Sequence, residues 1–198
     1  MNDNPIYNRR SIRRFLDKDV SLELIDAILD AGRVAPSAKN RQPWKYIVFG
    51  NEKKAELLHY MQQGIIREEQ GNSLLPRSRF GVPDAKNTLR VMEEAPIIII
   101  VINTNGISPF DPIDSESRIT EICDSLSIGA SIENILLMAE KMGLGTLWIA
   151  NTFFAYYELM EYLKTDGQLV GTIAVGYANE NPIQRPRKEP KEIIEYRL

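Results

Sequence analysis

One histidine and one cysteine are all that the 198 residues contain. His59 and Cys123 together cannot supply the nitrogen and sulfur ligands of a transition-metal centre, and no His-Glu-x-x-His pattern occurs, so no metal site is expected. A single cysteine also rules out an intramolecular disulfide. No Gly-x-Ser-x-Gly elbow is present to build a triad around His59, which reads as a surface or packing residue on a helix. Cys123 falls on the apolar side of its own helix, where a core thiol is the simpler reading. Long apolar runs are missing as well. Residues 1–4 lead into nothing resembling a leader, and the longest unbroken run, 97–102, is about a third of the ~20 residues that span a bilayer. A cytoplasmic protein without a membrane span is the expectation.

Nucleotide fingerprints are absent too. Gly143-Leu144-Gly145 lacks the third glycine of the dinucleotide motif, and Gly171 and Gly176 lie inside a strand with no lysine following. A nicotinamide would therefore bind only transiently, over another cofactor.

What the chain does have is positive charge at both ends. Arg9, Arg10, Arg13 and Arg14 stand against Asp3 near the start, and Arg185, Arg187, Lys188 and Lys191 against Glu189 near the finish, while the whole chain carries −3. The body is therefore acidic. That argues against the broad basic face of a nucleic-acid protein, but not against a compact anion pocket built by the two ends.

A chain of this length, 43% hydrophobic and 26% charged, has the composition of a folded globular protein, and one domain spanning 1–198 is expected. Ser21 stands where an N-cap belongs, ahead of Leu22, Ile25, Ile28 and Leu29 at helical spacing, and Gly32 suits the far end. Residues 35–44 read as a loop, 45–49 as a strand and 52–70 as a helix. Residues 71–83, broken by Gly71, Pro76, Gly81 and Pro83, read as a lid over a ligand. A short helix over 84–94 precedes the run 97–102, apolar on both faces as a central strand requires.

Residues 117–142 read as one helix of ~39 Å at 1.5 Å per residue. Its polar face vanishes over Ile132, Ile135, Leu136, Leu137, Met138 and Ala139, as in a helix covered by a partner, and Gly129, Ala130 and Ser131 would admit a second helix closely. A strand over 146–149, a helix over 153–164 and a strand over 169–177 follow. Residues 179–198 read as a C-terminal arm whose Ile193, Ile194 and Tyr196 need a docking surface.

Three segments combine polar groups with structured surroundings: 9–15, 35–44 and 183–191. In the first, Arg9, Arg10 and Arg13 offer forked donors and Ser11 a hydroxyl, chemistry suited to a phosphate monoester and its ribityl chain, although an arginine cluster alone is equally a solvated surface. In the second, Ser37, Asn40 and Gln42 can read the polar edge of a heterocycle, with Trp44 as a packing anchor. Alone, this segment is equally an ordinary helix-to-strand loop.

Together these segments resemble the nitroreductase family of FMN enzymes, nearly end to end. Arg-Arg-Ser-Ile-Arg-Arg-Phe at 9–15 is similar to the family's opening motif, Ala-Pro-Ser-Ala-Lys-Asn-Arg-Gln-Pro-Trp at 35–44 to its second and Gly-Leu-Gly-Thr-Leu-Trp-Ile at 143–149 to its third. Arg-Pro-Arg at 185–187 resembles its closing phosphate clamp. The resemblance implies an α+β fold, a central, mostly antiparallel sheet flanked by helices, in an intertwined homodimer that exchanges terminal arms and builds two FMN sites at the interface. It implies that Arg9, Arg10, Ser11 and Arg13 hold phosphate and ribityl together with Arg185 and Arg187. Pro36, Ser37, Ala38 and Asn40 would come from the other subunit, with Gln42 nearby. Leu147, Trp148, Ile149 and Asn151 would pass beside the flavin ring. Ala150 and Asn151 stand where some members carry glutamate and glycine, and Thr88 and Arg90 are candidates for a polar residue that many members use before the central strand.

The implied activity is hydride transfer from NADH or NADPH to flavin N5, then onward to a nitroaromatic, a quinone or a similar electron-poor acceptor, in ping-pong order. The cofactor does the bond making, so no side chain is assigned as catalytic. The same fold also implies rival tasks: reductive dehalogenation, flavin reduction or oxygen-dependent breakdown of FMN. Arg77, Arg79 and the two prolines of the 71–83 segment show no pattern for holding a zwitterionic amino acid. A third reading is a non-enzymatic module that grips a phosphorylated metabolite, nucleic acid or a partner protein.

Overall fold

A computed structural model describes residues 4–74, 76, 77 and 80–198. Asp3 and Arg79 lie outside the described residues, as does part of the segment read as a lid. The four strands are β1 (Trp44–Phe49), β2 (Ile97–Asn103), β3 (Gly145–Ile149) and β4 (Gln168–Gly176). They form one sheet in the order β1-β2-β4-β3, antiparallel throughout.

The apolar run that marked β2 works on both faces because the strand period is two. Ile98, Ile100 and Ile102 face one layer, built by α3 (Asn51–Glu69), α4 (Val82–Glu94) and α6 (Tyr156–Leu163). Ile99 and Val101 face the other, built by α2 (Leu22–Arg33) and α5 (Ser115–Lys141). All five side chains are fully buried, and each contributes roughly 1.5–3 kcal/mol relative to exposure. The α+β architecture expected from the sequence is the one observed.

Several local expectations are corrected. Ser21 occupies the N-cap of α2, but its hydroxyl caps no backbone N–H. It bonds instead to the carboxylate of Glu23, holding that group below the usual glutamate range. Gly32 does not end the helix, which continues through Arg33. It lies where α2 crosses α5, and a Cβ there would sit 2.7 Å from Ile135 Cγ1 and 2.8 Å from Tyr46 Oη. Close approach, not a turn, is what requires glycine.

Helix α5 starts earlier than its apolar pattern, because Asp114 caps it by accepting from the N–H groups of Glu116 (2.8 Å) and Ser117 (3.0 Å). The stretch expected to need a partner, 132–139, is covered by α2 and the sheet of the same chain. The exposed apolar stripe lies in the first half instead: Ile119 (63% exposed), Ile122 (52%) and Leu126 (70%). A Cβ on Gly129 would meet only Trp148, at 3.9 Å. Among the described residues α5 is also long and apolar enough to cross a membrane. A search for unbroken runs misses this because polar residues are interspersed, and from Ile128 onward its buried apolar residues belong to this chain's core.

The helix expected over 153–164 divides into a 3-10 turn, Asn151–Ala155, and α6. Ala155 there presses against Gly64 of α3. Short helical turns at Pro5–Asn8 (α1) and Pro190–Ile193 (α7) were not legible in the pattern. Apart from α7 the C-terminal residues form no regular element, and Ile193, Ile194 and Tyr196 stay exposed on their own chain.

Gly32→Ala is expected to lower stability by about 1–3 kcal/mol through overpacking against Ile135. Urea unfolding with an unchanged m-value checks this, and a neutral result would mean that α2 and α5 can separate freely.

Candidate functional site

The N-terminal segment is placed by the sheet. The N–H of Ile12 donates to the Thr146 carbonyl of β3 (2.9 Å), and Ser11 bridges to Thr146 in parallel sense. Further on, the N–H of Leu16 donates to Tyr177 O and that of Asn179 to Arg14 O, both at 2.9 Å. Ile12 and Phe15 are buried where glycine leaves room: a Cβ on Gly145 would lie 2.8 Å from Ile12 Cγ1, and one on Gly176 2.9 Å from Phe15 Cδ1. With those two inward, Arg9, Arg10, Ser11 and Arg13 are left half-buried at the surface.

Glu180 joins the two ends of the chain. Its Oε1 accepts from the backbone N–H of Arg13 and from that of Arg14 (3.2 Å). The tail beyond it then turns across the arginine segment and borders an open cavity of about 540 Å³. Arg9, Arg10, Ser11 and Arg13 line one side, and residues 182–187, with Arg185 and Arg187, line the other; no carboxylate lines it.

The guanidinium groups differ in how far they are already satisfied. Arg10 Nη1 donates to the carbonyls of Tyr7 (2.7 Å), Asn8 (2.9 Å) and Arg9 (2.9 Å). Arg13 Nη1 donates to Ser11 O (3.2 Å). Arg9 Nε is buried without a hydrogen bond, its nearest acid being Glu133 at 3.6 Å. Arg185 and Arg187 are exposed and unpaired among the described residues. A buried donor without a hydrogen bond costs roughly 1–3 kcal/mol, and with five arginines and no carboxylate among its lining residues the cavity favours an anion.

The second segment does not join the first on one chain: Pro36, Ser37, Ala38, Asn40 and Gln42 line no part of the arginine cavity. They form a turn around Ala38–Asn40 in which Lys39 (φ 54°), Asn40 (φ 53°) and Gln42 (φ 49°) are all left-handed without being glycine. Each such residue costs on the order of 1–3 kcal/mol. The turn is held internally by Ser37 Oγ, which accepts from Gln42 N–H (3.0 Å), and by Gln42 Nε2, which donates to Asn40 Oδ1 (3.2 Å). From outside, α5 grips it. Ser127 Oγ accepts from Ala38 N–H (3.1 Å), and Asp124 Oδ1 receives both Nε (2.9 Å) and Nη2 (2.7 Å) of Arg41. Trp44, half-buried, opens β1 rather than ending the loop. Tyr46 of the same strand bonds Ser131 of α5, and burial pushes its phenol up.

In β3, Leu147 and Ile149 point into the core, so only their backbone is available to a ligand. Trp148 faces the opposite side, 43% exposed. Asn151 Nδ2 donates to Asp84 Oδ2 (2.8 Å) and Thr88 Oγ1 (2.9 Å), while its Oδ1 is buried and unpartnered. Thr88 is thus brought to the end of β3. Arg90 is not: it bonds Asn87 Oδ1 (3.0 Å) and Glu94, which also pairs with Arg14 (2.7 Å). His59 is exposed beside Gln63 (2.9 Å), as expected, and Cys123 is only half-buried rather than core. The sequence reading missed Glu180, Asp84 and Asp124. The only signal for Glu180 was a carboxylate at the root of a basic tail, and for Asp124 a charge inside an apolar helix.

The model of the Nitroreductase family matches residues 6–177. The chain belongs to this family. Among nitroreductase-family relatives, a Methanothermobacter thermautotrophicus protein with the provisional name NADH dehydrogenase/NAD(P)H nitroreductase is 27% identical over 197 residues, covering 95% of this chain and 83% of its own. A BluB-like flavoprotein of Clostridium difficile superimposes with a TM-score of 0.76 at 25% identity, over 100% of this chain and 99% of its own. A Desulfovibrio desulfuricans protein, provisionally named a nitroreductase and solved in complex with FMN, gives 0.70 at 26% identity, over 98% and 95%.

Glu180→Ala is expected to release the tail and weaken inorganic phosphate binding about tenfold, ~1.4 kcal/mol. The rise in thermal midpoint with added phosphate measures this. An undiminished rise would show that the two ends meet without the carboxylate.

Proposed function

We propose that the protein is an FMN-dependent oxidoreductase, acting as a homodimer, that takes hydride from NADH or NADPH and passes it to nitroaromatic, quinone or similar electron-poor acceptors in ping-pong order. The observation that carries this reading is the cavity where five arginines from both ends of the chain converge without a lining carboxylate, one of them with a buried Nε that makes no hydrogen bond. A phosphate monoester, with a charge of roughly −1.5 to −2 and three strong acceptor oxygens, fits that donor set. The FMN bound by the Desulfovibrio relative supports the same assignment.

In this reading Arg9, Arg10, Arg13, Arg185 and Arg187, with Ser11, hold the phosphate and ribityl chain. Pro36, Ser37, Ala38, Asn40 and Gln42 serve the site of a second copy, consistent with their separation from the cavity of their own chain. The backbone of Leu147, Trp148 and Ile149 lies along the ring, with Asn151 at its edge. Bound flavin supplies the hydride-accepting and hydride-donating chemistry; the protein contributes orientation and electrostatics. No side chain is assigned an acid–base role. The exposed stripe of Ile119, Ile122 and Leu126, and the arm residues Ile193, Ile194 and Tyr196, are the apolar surfaces that a second copy covers.

The purified chain is expected to keep a flavin spectrum through desalting, to bleach under anaerobic NADH or NADPH, and to re-oxidise with a nitrofuran or quinone. Iodotyrosine and free FMN as alternative substrates distinguish the rival tasks. The double variant Arg185→Gln/Arg187→Gln is expected to raise the FMN Kd by about 10- to 100-fold, as charge-assisted bonds are lost. A chain that stays colourless with added FMN would falsify the reading.

A further inference from the structure

We infer that Asp124 and Arg41 form a positioning pair for the cofactor site: α5 uses the buried carboxylate to hold the left-handed turn at 38–42 in the one shape that presents Asn40 and Gln42 to FMN in the neighbouring subunit. The inference rests on the functional reading above.

Three of the four residues from Lys39 to Gln42 have positive φ, and none is glycine. Such a conformation persists only where the surroundings over-determine it. The surroundings that do so come from α5. Arg41 directs Nε and Nη2 to one oxygen of Asp124, whose side chain is 1% exposed. The other oxygen accepts from Asn105 Nδ2 (3.2 Å), so both carboxylate oxygens are engaged. One turn on, Ser127 Oγ donates to Cys123 O (2.7 Å) while accepting from Ala38 N–H, fixing the start of the same turn.

A buried ion pair is a poor source of stability, since apolar residues of similar size often do as well or better. What it secures is a single geometry. Here that geometry pairs two amides. Gln42 Nε2 donates to Asn40 Oδ1, while Asn40 Nδ2 and Gln42 Oε1 make no hydrogen bond among the described residues, so the linked amides still offer a donor and an acceptor. A donor beside an acceptor complements the alternating carbonyl and N–H edge of a flavin pyrimidine ring. Asp124 also lies between Ile122 and Leu126 of the exposed stripe, so the helix turn that faces a second copy is the one that sets the shape of the loop.

The test uses flavin-stripped full-length protein, titrated with FMN by fluorescence, with thermal midpoint and mass in solution measured on each variant. Asp124→Asn is expected to raise the FMN Kd about tenfold or more and to shift the visible flavin bands, without changing the mass. Arg41→Lys, which keeps the charge but loses the fork, is expected to fall between wild type and Asp124→Asn. Arg41→Met/Asp124→Leu leaves no unpaired charge; it is expected to recover the thermal midpoint but not the affinity or the spectral shift. If the double variant or Arg41→Lys binds FMN within about twofold of wild type with unshifted bands, the pair is only structural and the inference fails, while the functional reading stands. A wild-type chain that takes up no FMN overturns both.

Discussion

Five guanidinium groups do not gather unaided. Each like-charged pair at close range repels by something near 1 kcal/mol in water and more where solvent is thin. The short backbone ladder between the two ends of the chain overcomes that repulsion: Ile12 on Thr146, Leu16 on Tyr177, Asn179 on Arg14, with the Glu180 carboxylate across the N–H groups of Arg13 and Arg14. On the arginine segment these bonds are made by main chain, so they do not consume its guanidinium groups. Ile12 and Phe15 anchor the ladder in the core, and the charged residues between and before them turn outward. The convergence of the arginines is thus a product of sheet geometry.

That geometry also accounts for what could be read in the sequence. The run 97–102 announced a doubly buried strand because no other element needs apolar side chains at every position. The two basic ends announced a shared anion, since opposite ends of an acidic chain have no other evident reason to match in charge. The motifs at 9–15, 35–44 and 143–149 led to the family, which the match over residues 6–177 bears out. Gly32 was misread because a helix-ending glycine and a helix-crossing glycine look the same until Ile135 and Tyr46 are brought against it. The covered half of α5 was misassigned for a related reason: an apolar face shows that something lies over it, not whether α2 or a second molecule does. Asp124 and Glu180 were invisible because their partners, Arg41 and the backbone of Arg13 and Arg14, are far away in sequence.

The two halves of α5 divide the work of the molecule. From Ile128 onward its buried residues build the layer beneath α2, whereas Ile119, Ile122 and Leu126 stay outside. Asp124 and Ser127 sit at the changeover, where they hold the turn after α2. Core packing along one half of the helix therefore fixes the orientation of the 38–42 turn held at its middle.

The N-terminal segment has one more role. β3 is the outermost strand on its side of the sheet, and among the described residues the only backbone laid along its free margin is that of Ser11 and Ile12. An uncovered strand margin is a template for pairing with other chains. The residues that carry the arginines therefore also guard the sheet against misassembly, and clipping the chain ahead of Leu16 would produce sticky, self-associating protein as well as a weakened anion site.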